Sequence, residues 1–276
     1  RERLSCTNTD TCVLSIRNSG PSRARNVGWE ASTAEWIQCL DDDDRIAPPK
    51  IEVQIRTAIE LGDEAAVIYS AWQRLHQCDD GGWRKGDVEH PHISSGSRLQ
   101  DLIASENFIA PGSQLFRRSW LDAVNGFDEQ LQVIEDVHLL LRIAMRGGRF
   151  VHAPSEEPLF YYRQRDDGSL SSDQHAFVEG CLRNARVVER YALENDEMTP
   201  GLRDQLIRVY FYGARYHAPR NRDRFNEIYS WIQGLDPNAL PESPRHLRLV
   251  SKMLGYRTAE SVAIAYRRFK KALGLL

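Results

Sequence analysis

Four consecutive aspartates, Asp41 to Asp44, are the side chains of this sequence best placed to do chemistry. They follow a short apolar run, Trp36-Ile37-Gln38-Cys39-Leu40, whose length and polar flanks favour a buried strand. Four adjacent carboxylates cannot be desolvated without partners, so the strand must end at a surface. Carboxylate oxygens in this number suit Mg²⁺ or Mn²⁺, and such ions usually also hold substrate phosphates. For the Asp run alone, a solvated acidic turn is an equal alternative.

A second acidic pair, Glu135-Asp136, stands directly before an apolar helical face that contains Leu139, Leu140 and Ile143. Carboxylates at a helix N-terminus complement the helix dipole. Taken alone, this pair is explained well enough by that capping role.

Arg25 lies in a stretch from Ser22 to Ala31 that fits a helix, with Ser22 as a possible N-cap. A helix N-terminus that carries arginines can bind an anion such as a phosphate. A solvated basic helix explains the same stretch about equally well.

The elements around these residues alternate between helix and strand up to about residue 174. Lys50 to Leu61 predicts a helix with Ile51, Ile55, Ala58 and Ile59 on its apolar face, and Ala65 to Tyr69 predicts a buried strand. Ser113 to Phe116 predicts another strand. From about His175 onward only helices are expected, over 177–193, 200–217, 222–232 and from 245 onward. We therefore expect an α/β domain over residues 1–174 and a helical C-terminal extension over 175–276.

Composition limits the class of protein. The chain has 276 residues, of which 41% are hydrophobic and 27% charged, so it can build a core. Its net charge of −3 gives no general sign of nucleic-acid binding. Five cysteines without a C-x-x-C pair favour a reduced compartment. With no signal peptide and no apolar run of membrane-spanning length, we expect a cytoplasmic location.

The segment from Arg245 to Leu276 is strongly basic, with eight Lys or Arg side chains against one Glu, a net charge of +7. Val262, Tyr266 and Phe269 add apolar surface. A basic amphipathic helix can lie on an anionic membrane, so peripheral contact with the inner face of the membrane is a hypothesis for this segment. An ordinary terminal helix packed on the domain is the somewhat stronger alternative.

Three blocks in order resemble the family 2 glycosyltransferases of the GT-A fold. The first runs from Gly20-x-Ser22-x-Ala24-Arg25-Asn26-x-Gly28 into Glu35-Trp36-Ile37 and Leu40 to Asp44, which is similar to the approach to the family's D-x-D element. The second comprises Phe116-Arg117-Arg118, then Gly126-Phe127-Asp128-Glu129 and Glu135-Asp136. The third is Tyr162-Arg163 followed by Ser169-x-Ser171, with Arg165 where many members have a histidine. Together the blocks cover about residues 12 to 172.

The resemblance implies a Rossmann-like, α/β GT-A domain that transfers a sugar from a nucleotide-diphospho-sugar to a saccharide or lipid-linked acceptor. It implies that Asp43 and Asp41 hold a divalent metal, Mn²⁺ or Mg²⁺, and that Arg25, Asp41, Asp42 and Arg163 contact the donor. It further implies that Asp136 is the catalytic base of an inverting reaction, oriented by Glu135, with Gly112 and Ser113 near the acceptor. Cell-surface polysaccharide synthesis is the expected setting.

The resemblance also leads us to expect a β-α-β unit for the nucleotide ahead of Arg1, and we expect the sequence to be truncated there. A catalytically inactive remnant or binding protein that lacks the donor half is therefore a second hypothesis. A nucleotidyltransferase with a similar acidic metal site is a third.

Overall fold

The computed structural model describes residues 11–62, 65–78, 80–164, 173–242 and 244–272. Within these ranges eight strands form two four-stranded mixed sheets. The strands are β1 (Trp36–Ile37), β2 (Arg45–Ile46), β3 (Ala65–Tyr69), β4 (Trp72–Gln77), β5 (Trp83–Glu89), β6 (Gln114–Arg117), β7 (Arg149–His152) and β8 (Phe160–Gln164).

The sheets have the orders β1-β6-β3-β7 and β2-β8-β4-β5. In the first sheet β6 is antiparallel to both neighbours, and β3 and β7 are parallel. In the second, β4 and β8 are parallel, and β4 and β5 form an antiparallel hairpin. Because β1 and β2 lie in different sheets, the four aspartates between them form the crossing from one sheet to the other.

Ten helices complete the described part of the chain. One precedes the strands, four lie among them and five follow them: α1 (Pro21–Ala31), α2 (Lys50–Leu61), α3 (Arg98–Ile103), α4 (Arg118–Val124), α5 (Glu135–Met145), α6 (Gln174–Glu194), α7 (Pro200–His217), α8 (Arg222–Leu235), α9 (Arg245–Leu254) and α10 (Tyr256–Ala272). The predicted change to helices alone is confirmed within a few residues.

One hydrophobic core runs through both predicted regions. Val67 of β3 and Leu139 of α5 belong to the same cluster as Leu182 of α6, Leu206 of α7 and Ile228 of α8. Burial of this apolar surface is the main force that holds the helices on the sheet. The division at residue 174 stays a prediction about architecture, since packing is continuous across it.

The helix predicted over residues 50–61 forms as α2, and its predicted apolar face is half confirmed, since Ala58 is buried and Ile55 packs against the core. Ile59 is 75% exposed and Ile51 38%, whereas Lys50 and Gln54 are fully buried. The amide of Gln54 donates to Ile68 O (3.1 Å) and Ser113 O (2.9 Å), and Lys50 Nζ donates to Gln54 Oε1 (2.6 Å). The helix thus packs on backbone oxygens that need donors, and this requirement outweighs apolar periodicity.

The last helical segment is broken at Gly255, which has φ +78°, a left-handed value that glycine adopts without a steric penalty. The single helix expected from Arg245 onward is therefore two helices, α9 and α10. Among the described residues, no helix has the length and apolar character that a bilayer crossing requires.

Candidate active site

An open cleft of about 2320 Å³ is lined by residues of both sheets and of several helices. Its rim includes α1, the turn after β1, the first turn of α5 and the end of β8. Helices α6 and α7 supply the remaining wall through Phe177, Cys181, Arg208 and Tyr212. The two acidic groups predicted from the sequence therefore face one cavity.

Arg25 joins these two acidic groups directly. Its Nη2 atom lies 3.0 Å from Asp41 Oδ1, and its Nη1 atom lies 2.5 Å from Glu135 Oε1. The Arg25 and Glu135 side chains are only about a tenth exposed, whereas Asp41 is 43% exposed. Although burial disfavours the charged guanidinium, the two carboxylates raise the pKa of Arg25 above its ordinary value. The structure thus brings three predicted site residues together.

The aspartate run forms a turn that presents some carboxylates and buries another. Asp44 N donates to Asp41 O (3.2 Å), and Asp41, Asp42 and Asp43 line the cleft. Asp44 is buried, and its Oδ1 atom accepts from Arg163 N at 2.8 Å. Burial raises the pKa of Asp44 to about 7, in spite of that hydrogen bond. The buried Asp44 therefore stabilises the turn and does not face the cleft with the other three aspartates.

The strand predicted before this turn is shorter than expected. The ladder with β6 ends at Ile37, and Leu40 is 46% exposed. Gln38 lies outside the β1 ladder, and its side-chain amide donates to Gly112 O at 3.1 Å. The chain still emerges at the cleft, as the acidic run requires.

Glu135 and Asp136 begin α5, as their position before the apolar face predicts. Both are buried, at 7% and 8% exposure, yet both line the cleft. Burial, followed by the neighbouring Glu135 charge, raises the pKa of Asp136 to about 7. Since Glu135 is held by Arg25, Asp136 is the carboxylate of the pair that remains to exchange a proton near neutral pH.

An unusual backbone conformation sets the start of this helix. Ile134, the residue before Glu135, has φ 53° and ψ 25°, a left-handed conformation that is rare and costly for a β-branched side chain. Its side chain lies against Gly180 of α6, where an added Cβ would be 2.8 Å from Ile134 Cδ1. Close packing against α6 thus fixes the position of the acidic pair.

Arg163, near the end of β8, lines the cleft beside the acidic turn. Its Nε atom donates to Asp43 O, and its guanidinium lies 5.3 Å from the centre of the Trp83 ring. The hydrogen bond holds the acidic turn against β8, and the ring contact lies between β8 and β5. Arg165 and the Ser169-x-Ser171 pattern of the third sequence block lie outside the described residues.

Gly112 and Ser113, predicted near the acceptor, lie behind the wall of the cleft. Ser113 is fully buried, and its Oγ atom donates to Ala110 O at 2.7 Å. A Cβ on Gly112 would lie 2.1 Å from Phe160 Cε2, so only glycine fits there. Their neighbour Pro111 reaches the cleft. These two residues shape the wall at that point.

Two residues of the site were missed by sequence reasoning. Tyr162 lines the cleft beside the acidic groups, and burial together with the charges of Asp44 and Asp136 raises its pKa. Arg74, on β4, adds a cation to the cleft and lies 5.3 Å from the Trp72 ring centre. Arg74 belongs to no motif, and no sequence signal marks it. Tyr162 belongs to the third sequence block, but no role was predicted for it.

The chemistry of the rim fits a divalent cation. Hard oxygen ligands from one or two carboxylates, completed by water and substrate phosphates, are the usual environment of Mg²⁺ or Mn²⁺. Asp42 and Asp43 face the cleft, and Asp41 is shared with Arg25. These residues could supply the carboxylate ligands of such an ion.

The mixed sheet, the acidic turn after β1 and the acidic helix start across the cleft are the features of the GT-A fold that the sequence predicts. Residues 10–124 match the model of the family described as Glycosyl transferase family 2. The fold and family predicted from the sequence are confirmed.

Two curated proteins are similar to the chain. Succinoglycan biosynthesis protein ExoO of Rhizobium meliloti is 29% identical over 159 residues, covering 56% of this chain and 45% of that protein. An uncharacterized glycosyltransferase of Haemophilus influenzae is 27% identical over 153 residues, covering 55% and 49% respectively. The matched stretch thus spans about half the length of each of these relatives.

Solved structures of TarS from S. aureus share the fold. TarS in complex with UDP-GlcNAc superposes with a TM-score of 0.60 at 16% identity, covering 92% of this chain and 74% of that one. TarS without this ligand gives a TM-score of 0.53 at 17% identity, covering 92% and 73%. At this identity the likeness concerns the fold alone.

Proposed function

We propose that this chain is an inverting, metal-dependent glycosyltransferase that moves a sugar from a nucleotide-diphospho-sugar to a saccharide or lipid-linked acceptor. The observation that carries the proposal is the guanidinium of Arg25, which links Asp41 on the acidic turn to Glu135 beside Asp136. One cleft therefore holds a rim suited to a cation and a buried carboxylate suited to a proton. The name of ExoO, a succinoglycan biosynthesis protein, supports a setting in cell-surface polysaccharide synthesis.

The donor would lie along the acidic rim. Asp42 and Asp43, with Asp41, would hold the divalent cation that meets the diphosphate. Arg74 and Arg163 line the same cavity and provide positive charge close to the leaving group. Arg25 is more than a simple phosphate ligand, because both of its terminal nitrogens already bind carboxylates. Its role in donor binding is then to hold Asp41 in position.

Asp136 would act on the acceptor. Its carboxylate takes the proton from an acceptor hydroxyl, whose oxygen forms a bond to the anomeric carbon of the donor sugar. The bond from that carbon to the diphosphate oxygen breaks, and the nucleoside diphosphate leaves with the electron pair. Attack from the face opposite the leaving group inverts the anomeric configuration. Glu135, fixed by Arg25, orients the helix start that carries Asp136.

The cleft thiols play no nucleophilic part in this scheme. Burial raises the pKa values of Cys39 and Cys181 to about 11, so both remain protonated at neutral pH. This supports a single displacement without a cysteine-bound intermediate.

Helices α6 and α7 would form the acceptor wall. Phe177 and Tyr212 line the cleft there, and Tyr212 is 47% exposed. Exposed aromatic rings beside a polar cleft can pack against the apolar faces of sugar rings. The same wall contains Arg208, which pairs with Glu242 at 2.9 Å.

The experiment is a calorimetric titration of the purified chain with UDP, GDP and UDP-GlcNAc, with and without Mn²⁺. We expect Mn²⁺-dependent binding of one of these nucleotides and its loss in Asp43→Ala. Asp223→Ala, an exposed aspartate on α8, is the matched control and should bind normally. Absence of binding in the wild-type chain would contradict the proposal. Binding without release of nucleoside diphosphate in the presence of acceptors would favour the catalytically inactive binding protein.

The C-terminal helices would contact an anionic membrane surface at the cytoplasmic face. Leu249, Met253, Val262 and Phe269 are each more than half exposed on α9 and α10. Exposed basic side chains stand beside them, among them Arg248, Lys252 and Arg257. Apolar side chains and cations on the same helices support peripheral binding to acidic lipids.

A further inference from the structure

Three side chains with metal-binding chemistry meet at the corner where α6 begins and α7 ends. They are His175, Glu179 and His217, and one ligand atom from each lies within 4.8 Å of the other two. None of the three lines the cleft of the proposed transferase site. The proposed sugar-transfer chemistry leaves this cluster unexplained.

The sequence places these side chains together through ordinary helix geometry. His175 and Glu179 are four residues apart on α6 and therefore share one face of that helix. His217 is the last residue of α7, whose C-terminal end lies beside the first turns of α6. Asp173 caps α6 through the N–H groups of His175 and Ala176, which fixes the first turn. Both helices are long and anchored in the core, so the corner is rigid.

His217 gives the strongest evidence for a bound ligand, because it is a buried histidine with an unpartnered ring nitrogen. It is 97% buried, and its Nε2 atom has no hydrogen-bond partner among the described residues. That atom lies 2.9 Å from Glu179 Oε1, but the contact lacks hydrogen-bond geometry. A buried polar atom without a partner is costly. A cation bound between the imidazole and the carboxylate would give His217 Nε2 a partner.

Arg224 of α8 positions the carboxylate of this group. Its Nη2 atom lies 2.5 Å from Glu179 Oε2, and its Nε atom lies 3.2 Å from Oε1. Arg224 therefore contacts both carboxylate oxygens, Oε2 more closely, while Oε1 also lies beside His217 Nε2. Hydrogen bonds of this kind commonly orient a ligating carboxylate. The positive charge of Arg224 already compensates the Glu179 carboxylate. We therefore expect an ion that binds the imidazole nitrogens well.

We propose that His175, Glu179 and His217 bind a zinc ion that ties the start of α6 to the end of α7. Two imidazoles and one carboxylate form a recognised zinc ligand set, and a water completes four-coordination. Tetrahedral binding needs ligand atoms about 3.3 Å apart. His175 is exposed and can adjust, whereas His217 and Glu179 are already close. The hard carboxylate rim of the cleft prefers Mg²⁺ or Mn²⁺, so the two sites are chemically distinct.

The test uses the tag-free full chain after treatment with EDTA. Zinc is titrated in competition with a chromophoric chelator, and Co²⁺ is used as a spectroscopic substitute. We expect one zinc per chain, visible Co²⁺ bands with imidazole ligation, and a higher melting temperature with zinc. His175→Ala and Glu179→Gln should each weaken zinc binding at least tenfold and remove the thermal shift. His246→Ala, at an exposed histidine on α9, is the matched control and should bind as the wild type does.

Asp43→Ala separates this site from the acidic rim. Zinc binding that persists in Asp43→Ala and is lost in His175→Ala supports the proposal. Zinc binding unchanged by His175→Ala and Glu179→Gln, or lost entirely in Asp43→Ala, would overturn it. Because His175 is exposed, its substitution leaves the core intact, and a loss of binding there cannot be attributed to unfolding. The result is independent of nucleotide binding, so the two proposals can fail separately.

Discussion

The side-chain amide of Asn26 pairs with both backbone groups of Phe127. Asn26 Nδ2 donates to Phe127 O at 2.9 Å, and Phe127 N donates to Asn26 Oδ1 at 2.8 Å. The pair fastens α1 to the turn after α4, and a Cβ on Gly126 would lie only 2.5 Å from Asn26 Oδ1. Since Arg25 precedes Asn26, this fastening also sets the guanidinium between Asp41 and Glu135.

Asn26→Ala is expected to lower the free energy of unfolding by about 2–4 kcal/mol, because two buried backbone groups lose their partners. Urea denaturation followed by circular dichroism measures the change. Asn238→Ala, at an exposed asparagine, should alter it by less than about 0.5 kcal/mol. Equal midpoints for the two variants would show that the pairing contributes little.

Asp136→Asn is expected to reduce sugar transfer at least about 100-fold, because the amide cannot accept the proton of the acceptor hydroxyl. Donor affinity should stay within about twofold, since Asp136 acts on the acceptor. Release of nucleoside diphosphate is the measurement, with Asp122→Asn, an exposed aspartate on α4, as control. Near-normal turnover in Asp136→Asn would remove Asp136 from the proposed role.

Turnover should fall about tenfold per pH unit below about pH 7, because burial and Glu135 raise the pKa of Asp136 to about 7.

A raised folded-state pKa means that the native protein binds this proton more tightly than the unfolded chain does. The resulting stability is present at low pH and is lost as the pH rises from about 4 to 7. Asp136→Asn lacks this loss, so it should be more stable than the wild type at pH 8 relative to pH 4. Urea midpoints that change equally with pH in both proteins would contradict the assignment.

Gly180→Ala is expected to destabilise the protein by about 1–3 kcal/mol, because the new methyl group would press on Ile134 at 2.8 Å. The displacement would move the start of α5 and reduce turnover as well. Gly234→Ala, on α8 with open space around it, is the matched control and should gain up to about 1 kcal/mol from helix propensity. If both variants gain stability in thermal unfolding, the contact between α5 and α6 is looser than the structure indicates.

Vesicle binding tests the C-terminal helices. The chain should sediment with vesicles that contain phosphatidylserine at low salt, and binding should weaken as ionic strength rises. Phe269→Asp should reduce this binding severalfold, whereas Ile59→Asp, at a similarly exposed apolar residue on α2, should not. Equal binding to purely neutral vesicles would argue against recognition of acidic lipids.

Much of the fold could be predicted because local signals and tertiary packing agree. Proline before α2, glycine after it, and the apolar run of β3 are such signals, and both elements form where expected. The orientation of α2 could not be predicted, because the backbone oxygens of Ile68 and Ser113 that Gln54 satisfies come from other parts of the chain. The predicted length of β1 was wrong for a similar reason, because pairing with the distant strand β6 decides where β1 ends.

The site divides in the same way. Asp41, Arg25 and Glu135 belong to motifs, and the structure brings them into contact. Their assignment to donor, metal and base roles stays a proposal. No local sequence pattern marks Arg74. A basic residue on a strand lines a cleft only because elements distant in sequence form the rest of that cleft. Gly112 and Ser113 are small enough to pack in the wall of the cleft. The sequence alone does not show whether such a residue lies on the surface of that wall or behind it.

The core shared by β3, α5 and α6 to α8 has a consequence for how the protein can be divided. A chain cut at residue 174 would leave Leu139 and Leu140 of α5 facing water where α6 and α7 had covered them. The helical part alone would expose Leu182, Leu206 and Phe211 in the same way. Neither half is expected to stay in solution, and calorimetry of the intact chain should record one cooperative transition for the sheets and helices α6 to α8.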